Sequence, residues 1–311
     1  MYKGRRLFVV IPAFNVADHV AAVVNGLPAF VDEVIVVDDA STDGTLVALQ
    51  RLDDSRVTVV RHPLNQGVGG AMVTGFRLAI DRKADVVVKM DGDGQMDPAY
   101  LPALLDPIVV DGYAYTKGNR FLDSEQLASM PSLRLMGNFA LTFLTKFASG
   151  YWHLFDPQNG FIAIEMSMLC KLPLDRLARR YFFENDMLVK LNVFKARVKD
   201  ISIPARYGNE KSSLRISTIL LTFPPHLFRR FWYRLYQRHI LRDFSPIAVF
   251  WLLGMLFLTW GTFFGGYTWA KSTHTGIVAT TGTVMLSVLP FILGFQLVLQ
   301  AVILEIQDSP R

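Results

Sequence analysis

The chain has 311 residues, of which 51% are hydrophobic, and its mean hydropathy is +0.29. This composition is too apolar for an ordinary soluble enzyme of this size, so we expect part of the chain to lie in lipid. The single cysteine excludes an internal disulfide and fits a reducing compartment. The net charge of +5 is concentrated beside the apolar C-terminal region, which indicates attraction to anionic lipid rather than to nucleic acid.

Short apolar runs alternate with helical patterns along the first part of the sequence. Strands are predicted at 7–11, 33–37, 57–61 and 86–90, and helices at 18–27 and 67–80. A further strand is predicted at 198–203. Strands that alternate with helices of this length predict an α/β domain with a mostly parallel sheet in three layers.

The apolar run 86–90 ends abruptly in Asp91 and Asp93, which are separated by one glycine. Its β-branched residues suit a buried central strand, and sheets of this kind bind ligands at the carboxyl ends of their strands. Two carboxylates on alternate residues can converge on one hard cation, and Mg²⁺ or Mn²⁺ bound in this way completes its coordination with phosphate oxygens. A nucleotide diphosphate is the favoured ligand, although an Asp-x-Asp tripeptide alone is more often a polar turn.

Two windows near the C-terminus, 244–270 and 272–304, contain no Asp, Glu, Lys or Arg. Each exceeds the ~20 residues needed to cross a bilayer, so we expect two transmembrane helices rather than a buried hairpin in a soluble domain. The segment 211–242 carries seven Lys or Arg and no acidic residue. By the positive-inside rule, this places the N-terminal domain and both termini in the cytoplasm.

Arg230, Arg234, Arg238 and Arg242 recur at every fourth position before the first of these windows. Together with apolar residues at the same spacing they predict an amphipathic helix in the membrane interface. A solvated charged helix is the alternative. The predicted organisation is therefore a catalytic domain (1–215), juxtamembrane helices (216–243), two transmembrane helices (244–305) and a short tail (306–311).

Four motifs resemble those of the family 2 glycosyltransferases of GT-A fold, in the family's order and each at a predicted strand end. They are Ile11-Pro12-Ala13-Phe14-Asn15, Val36-Val37-Asp38-Asp39-Ala40-Ser41-Thr42-Asp43-Gly44-Thr45, Asn65-Gln66-Gly67 and Asp91-Gly92-Asp93-Gly94-Gln95. With two C-terminal membrane helices added, the chain is most similar to the polyprenyl-phosphate glycosyltransferases. The resemblance implies inverting transfer of one sugar from a nucleotide-sugar donor to a polyprenyl phosphate at the cytoplasmic membrane face. It implies Mg²⁺ or Mn²⁺ as cofactor and leaves a homo-oligomer open.

The resemblance, carried over residue by residue, implies a set of site residues. The nucleotide-sugar would contact Pro12, Phe14, Val37, Asp39, Asp91, Gly92, Asp93, Arg206 and Lys211. The cation would bind Asp91, Asp93 and Gln95, and the acceptor phosphate would face Arg120. Catalytic roles are implied for Asp91, Asp93, Asp156 and Asp186. Arg134, on the helix expected to follow, is added as a second phosphate ligand.

Several of these residues also have purely structural interpretations. Asp156 precedes a proline, as turn-forming residues do, Asp186 suits a helix start, and Arg134 suits a solvated surface. Where the family usually has tyrosine, an acidic residue and lysine, this chain has Phe14, Val16 and Val68. The base of the donor is therefore left open.

Two other functions stay open at this point. A processive polysaccharide synthase also joins this fold to membrane helices, but the sequence lacks the Gln-x-x-Arg-Trp segment of such enzymes, and two helices are few for a polymer channel. A catalytically silent membrane scaffold would keep the fold, but it would not need Asp91, Asp93 and Gln95.

Overall fold

The computed structural model describes residues 1–120, 132–204 and 216–310, with side chains described except at 132–136, 138 and 216–221. Arg206 and Lys211 lie outside the described residues. The backbone of Arg134 lies inside them, but its side chain does not. The chain divides into two compact units, an N-terminal unit up to Phe231 and a C-terminal unit from Trp232 to Ser309.

One mixed sheet organises the N-terminal unit. Within the described ranges it has seven strands: β1 (Leu7–Ala13), β2 (Glu33–Asp38), β3 (Val57–Arg61), β4 (Val86–Lys89), β5 (Tyr115–Asn119), β6 (Ile162–Glu165) and β7 (Val198–Ser202). Their order is β3-β2-β1-β4-β6-β5-β7, and β6 runs antiparallel to both of its neighbours while all other pairs are parallel. The predicted mostly parallel sheet is confirmed.

The position of the candidate site follows from this strand order. From β1 the chain proceeds outward to β2 and β3, and it then returns to β4 on the other side of β1. The chain changes direction at the carboxyl ends of β1 and β4, and this switch point, here called the crevice, is where sheets of this kind bind ligands. Register pairs Ala13 with Asp38 and Val10 with Lys89, so β1, β2 and β4 end close to the same edge.

Helices cover both faces of the sheet. In the part of the chain that the structure describes, the α-helices that precede the two long C-terminal helices are α1 (Val20–Asn25), α2 (Thr45–Gln50), α3 (Val68–Asp81), α4 (Leu101–Val109), α5 (Ser132–Ser149), α6 (Met166–Leu169), α7 (Phe183–Val193) and α8 (Ile216–Arg234). One apolar core packs α3, α6 and α7 against one face, and a second core packs α1 and α4 against the other. Successive residues of β1, such as Phe8 and Val9, enter opposite cores, which explains the uninterrupted apolar runs in the sequence.

The C-terminal unit contains a π-helical segment (Leu235–Arg242) and two long helices, α9 (Pro246–Thr275) and α10 (Thr281–Gln307). Both long helices are long and apolar enough to cross a membrane. They approach closely where glycines meet, since a Cβ added to Gly294 would lie 2.6 Å from the amide nitrogen of Leu258. Small residues permit such close packing between membrane helices.

The prediction of a basic face on the juxtamembrane helix is wrong for at least two of its arginines, because carboxylates neutralise them. In the C-terminal unit, Arg234 pairs with Glu305 at 3.0 Å, with both side chains 1% exposed, and Arg238 pairs with Asp308 at 2.5 Å. Arg230, in the N-terminal unit, also pairs with a carboxylate. A fourfold repeat of arginine shows which residues share a helix face, but it does not show whether distant carboxylates neutralise that face.

Candidate active site

The loop after β1 is held by polar side chains that follow β2. Ser41, Thr45 and Asp43 accept hydrogen bonds from the three consecutive backbone amides of residues 15–17, at 3.0, 2.9 and 3.1 Å. A buried or half-buried amide without a partner is costly, so these side chains stabilise the loop in one conformation. Part of the second motif therefore stabilises the loop of the first motif, so the second motif does not contact a ligand along its whole length.

The two vicinal carboxylates at the end of β2 both have partners within the protein. Asp38 is fully buried and accepts from the Ser41 amide at 3.0 Å, which is the bracing role considered for it. Asp39 is 2% exposed, and it accepts from the amides of residues 66–67 at 2.9 and 2.7 Å and lies 2.7 Å from His62 Nδ1. Both of its oxygens thus organise the loop before α3, the third motif.

The remaining residues expected around the nucleotide differ in accessibility. Phe14 is 48% exposed and Pro12 is partly buried, so both are available at the crevice. Val37 is fully buried in the core, so its side chain is not available to a ligand, and its assignment to the nucleotide stays a prediction. A Cβ added to Gly92 would lie 3.3 Å from Val16 Cγ2 and 3.5 Å from the Pro12 carbonyl oxygen. The loops after β1 and β4 are therefore packed side by side.

The segment after β4 forms a tight polar turn. Gly94 has a φ of +77°, which glycine adopts readily and other residues rarely do. The Gln95 amide donates to Asp93 Oδ1 at 3.0 Å, which orients that carboxylate. Asp91 and Asp93 are both partly exposed, so their oxygens are accessible at the crevice.

The donors of Asp91, Asp93 and Gln95 are all hard oxygens, which are the ligands that Mg²⁺ and Mn²⁺ prefer. Among the residues that the structure describes, no group of three or more His, Cys, Asp or Glu could hold a metal ion. A cation bound here would accordingly need oxygen ligands from phosphate or water, as Mg²⁺ commonly does. By the chemistry of their donors, these residues fit the expected ion.

A buried lysine connects the turn to α7, and the sequence did not reveal this contact. Alternate residues of a strand face the same side, so Lys89 and Asp91 project together. Lys89 Nζ lies 2.6 Å from Asp91 Oδ1 and 3.3 Å from Glu184 Oε1, and it donates to the Gly160 carbonyl at 3.3 Å.

Burial lowers the pKa of Lys89, but the charges of Asp91 and Glu184 outweigh burial and raise it. Burial raises the pKa of Glu184 despite the lysine.

Asp186, the acidic residue predicted to be catalytic on this helix, has a different environment. Its fully buried carboxylate accepts from the Ala178 amide at 2.8 Å and from Lys190 Nζ at 2.5 Å, and Arg230 Nε lies 2.8 Å away. These contacts favour a structural role for Asp186, and its catalytic role stays a prediction. Glu184 is the acidic residue of α7 that approaches the Asp91 turn.

Arg120 and Asp156 form a bidentate ion pair at the end of β5. Arg120 Nε and Nη2 donate to the two oxygens of Asp156 at 2.7 and 2.8 Å, and Asn159 donates to the same carboxylate at 3.2 Å. Burial alone would raise the pKa of Asp156, but the hydrogen bonds and charge of Arg120, together with Lys117, lower it. The Asp156 carboxylate is 2% exposed and ionised, so it is better suited to positioning Arg120 than to accepting a proton. Arg120 itself is 38% exposed.

The profile of "Glycosyl transferase family 2" matches residues 8–172, which span β1 to β6. The UDP-N-acetylglucosamine–dolichyl-phosphate N-acetylglucosaminyltransferase of Methanococcus voltae is 30% identical over 232 residues, which cover 70% of this chain and 92% of that relative. The undecaprenyl-phosphate mannosyltransferase of Micrococcus luteus is 30% identical over 203 residues, or 64% of this chain and 82% of that protein.

Among solved structures, the glucosyl-3-phosphoglycerate synthase of Mycobacterium tuberculosis in complex with Mn²⁺, UDP-glucose and phosphoglyceric acid superposes with a TM-score of 0.56. The alignment covers 74% of this chain and 80% of the synthase at 21% identity, so this likeness concerns the fold alone. The fold, the ordered motifs and the profile match agree: the chain belongs to glycosyltransferase family 2, with a GT-A fold.

Proposed function

We propose that this protein transfers a single sugar from a nucleotide-sugar donor to a polyprenyl phosphate at the cytoplasmic face of a membrane. The observation that carries the proposal is the turn with the oxygen donors of Asp91, Asp93 and Gln95 at the carboxyl ends of β1 and β4. The same chain contains two helices of membrane-spanning length. The two relatives named above support it, because their names specify dolichyl phosphate and undecaprenyl phosphate as acceptors.

On the donor side, we assign the nucleotide to the crevice at the carboxyl ends of β1 and β4, beside the packed loops that follow these strands. Phe14 offers an exposed ring for the base, and the absence of a side chain at Gly92 lets the two loops pack closely. Asp91 and Asp93, with Gln95, would hold Mg²⁺ or Mn²⁺. The ion, when bound, neutralises charge that develops on the departing nucleotide diphosphate.

On the acceptor side, we assign the lipid phosphate to Arg120. A guanidinium fork binds phosphate oxygens with defined geometry, and Asp156 holds this fork in place through two hydrogen bonds. A phosphate is already anionic at neutral pH, so its oxygen can attack the anomeric carbon directly without a strong general base. The bond to the nucleotide diphosphate breaks as the new bond forms, which inverts the anomeric configuration. The internal ion pairs of Asp156 and Asp186 are consistent with this chemistry.

The reaction is tested with purified full-length protein, radiolabelled nucleotide sugars, short polyprenyl phosphates and Mn²⁺. We expect one labelled lipid product carrying a single sugar, and its loss in Asp93→Ala. A donor can be found first by thermal shift, because a ligand at a hundredfold excess over its Kd stabilises the folded state by about 2.7 kcal/mol. No labelled lipid with any common donor would contradict the proposal, and a long polymer would indicate a processive synthase instead.

The proposed topology can be tested with the native sequence. Cys170 is the single cysteine and is exposed in the N-terminal unit. A membrane-impermeant maleimide should therefore label the protein in inverted vesicles and spare it in intact cells of the expression host. Labelling of intact cells would place the catalytic unit on the outer face.

A further inference from the structure

A charged side chain is buried inside the sheet directly before the turn that contains Asp91 and Asp93. Lys89 is the last residue of β4, after three valines, and it is 1% exposed. A buried ammonium group destabilises the fold unless it is paired, and apolar replacements of buried ion pairs are often neutral or stabilising. Core packing alone would be satisfied by a fourth apolar residue, so the position of Lys89 calls for another explanation.

The ammonium group has three hydrogen-bond donors, and three oxygens surround it. They belong to Asp91, Glu184 and the Gly160 carbonyl, at 2.6, 3.3 and 3.3 Å. The chain approaches so closely here that a Cβ added to Gly160 would lie 2.3 Å from Lys89 Nζ and 2.9 Å from Asp91 Oδ2. Both oxygens of Asp91 therefore have defined surroundings, and the orientation of this 30% exposed carboxylate is constrained.

We infer that Lys89, itself held by Glu184, is a positioning residue for the cation site. Its ammonium binds one oxygen of Asp91 and fixes the carboxylate before any cation or donor arrives. Mg²⁺ requires near-ideal octahedral geometry, and mutation of residues that orient metal ligands typically lowers metal affinity by about 10- to 100-fold. This inference rests on the proposed function, because it assumes that Asp91 and Asp93 bind the cation.

The test must separate orientation from charge. Lys89→Met alone adds net negative charge to the site and would attract a cation more strongly, so we pair it with Glu184→Gln, which keeps the net charge constant. The matched control is Lys117→Met with Asp200→Asn. Lys117 is buried and Asp200 is partly buried, and the two are in ion-pair contact at 3.0 Å, on β5 and β7.

The measurement is Mn²⁺ affinity by electron paramagnetic resonance, with and without UDP or GDP, alongside thermal unfolding of each variant. We expect the Lys89/Glu184 pair variant to lose about 10- to 100-fold in Mn²⁺ affinity, while the Lys117/Asp200 pair variant keeps wild-type affinity. If the first variant does not fold, Gly160→Ala disturbs the same contact without removing a charge and should weaken Mn²⁺ binding in the same direction.

Three results would overturn the inference: unchanged or tighter Mn²⁺ binding in the Lys89/Glu184 pair variant, an equal loss in both pair variants, or wild-type Mn²⁺ affinity in a folded Gly160→Ala. Each would leave the proposed function intact if the wild-type protein binds Mn²⁺. Absence of Mn²⁺ binding by the wild type, with either nucleotide present, would instead count against the proposed function itself.

Discussion

The Asp186 carboxylate should stabilise the N-terminal unit and take no part in the reaction. It is fully buried and neutralises Lys190, whose side chain is 1% exposed, and Arg230, which is 22% exposed. Asp186→Asn preserves the volume of the side chain but removes its charge. The variant would leave the Lys190 ammonium buried beside the Arg176 carbonyl, 2.5 Å away, without a carboxylate.

Removing one partner of a buried ion pair costs about 3–5 kcal/mol. For a unit of this size, 1 kcal/mol changes Tm by about 2–4 °C, so Asp186→Asn should lower Tm by about 6–20 °C. Burial lowers the pKa of Lys190 even with Asp186 present. Deprotonation of Lys190 in the variant would therefore limit the loss of stability, and we expect a decrease in Tm in the lower half of that range.

Tm and sugar transfer should be measured on the same detergent-purified samples. The matched control is Asp175→Asn, because Asp175 is 83% exposed and forms an ion pair with Arg77 at the surface. Exposed pairs contribute little, so its Tm should stay within about 2 °C of wild type. If Asp186→Asn keeps the wild-type Tm and yet abolishes transfer, Asp186 is catalytic and the structural interpretation is refuted.

Three further outcomes follow from packing and charge. Gly75→Ala should lower the free energy of unfolding by about 1–3 kcal/mol, because its Cβ would lie 2.2 Å from Val10 Cγ1; Gly137→Ala, with nothing within 4 Å, should not destabilise the protein in the same denaturation experiment. The depressed pKa of Asp156 contributes stability that is present above its unfolded pKa of about 3.9 and is lost as pH falls through the folded value. The Tm difference between wild type and Asp156→Asn should therefore shrink below about pH 4, and a difference that is constant with pH would contradict this. Gly294→Val should separate α9 from α10 and lower the Tm of the detergent-solubilised protein, whereas an unchanged Tm would show that the helices tolerate a wider spacing.

The architecture could be predicted because it depends on local patterns. Each of the strands predicted before Asp91 is present. Residues of β1, β2 and β4 are buried on both faces, so these three strands form continuous apolar runs in the sequence. The α1 prediction, 18–27, was longer than the observed Val20–Asn25. Carboxylates directly after a buried strand likewise predicted a polar turn at Asp91 and Asp93, because the end of a parallel strand is where the chain leaves the core.

Ionic partners could not be predicted, because they join residues far apart in the chain. Lys89 and Glu184 are 95 positions apart, and Arg234 and Glu305 are 71 positions apart. Nothing local distinguishes a paired arginine from a solvated one. Lys89 did leave a signal, since a lysine that ends a run of valines in a central strand must find a buried counter-charge.

Helix α7 shows why the two acidic residues of one short motif have different roles. All eleven of its residues are buried, so it has no polar face that periodicity could detect, and each charge on it needs a partner inside the protein. Glu184 and Asp186 are two positions apart, and at about 100° per residue their side chains point in nearly opposite directions around the helix axis. Glu184 therefore contacts Lys89 on the strand that leads to the Asp91 turn, and Asp186 contacts Lys190 and Arg230. A rotation that brought Asp186 toward the turn would withdraw its charge from two cations at once, so the surrounding ion pairs fix which carboxylate lies near the site.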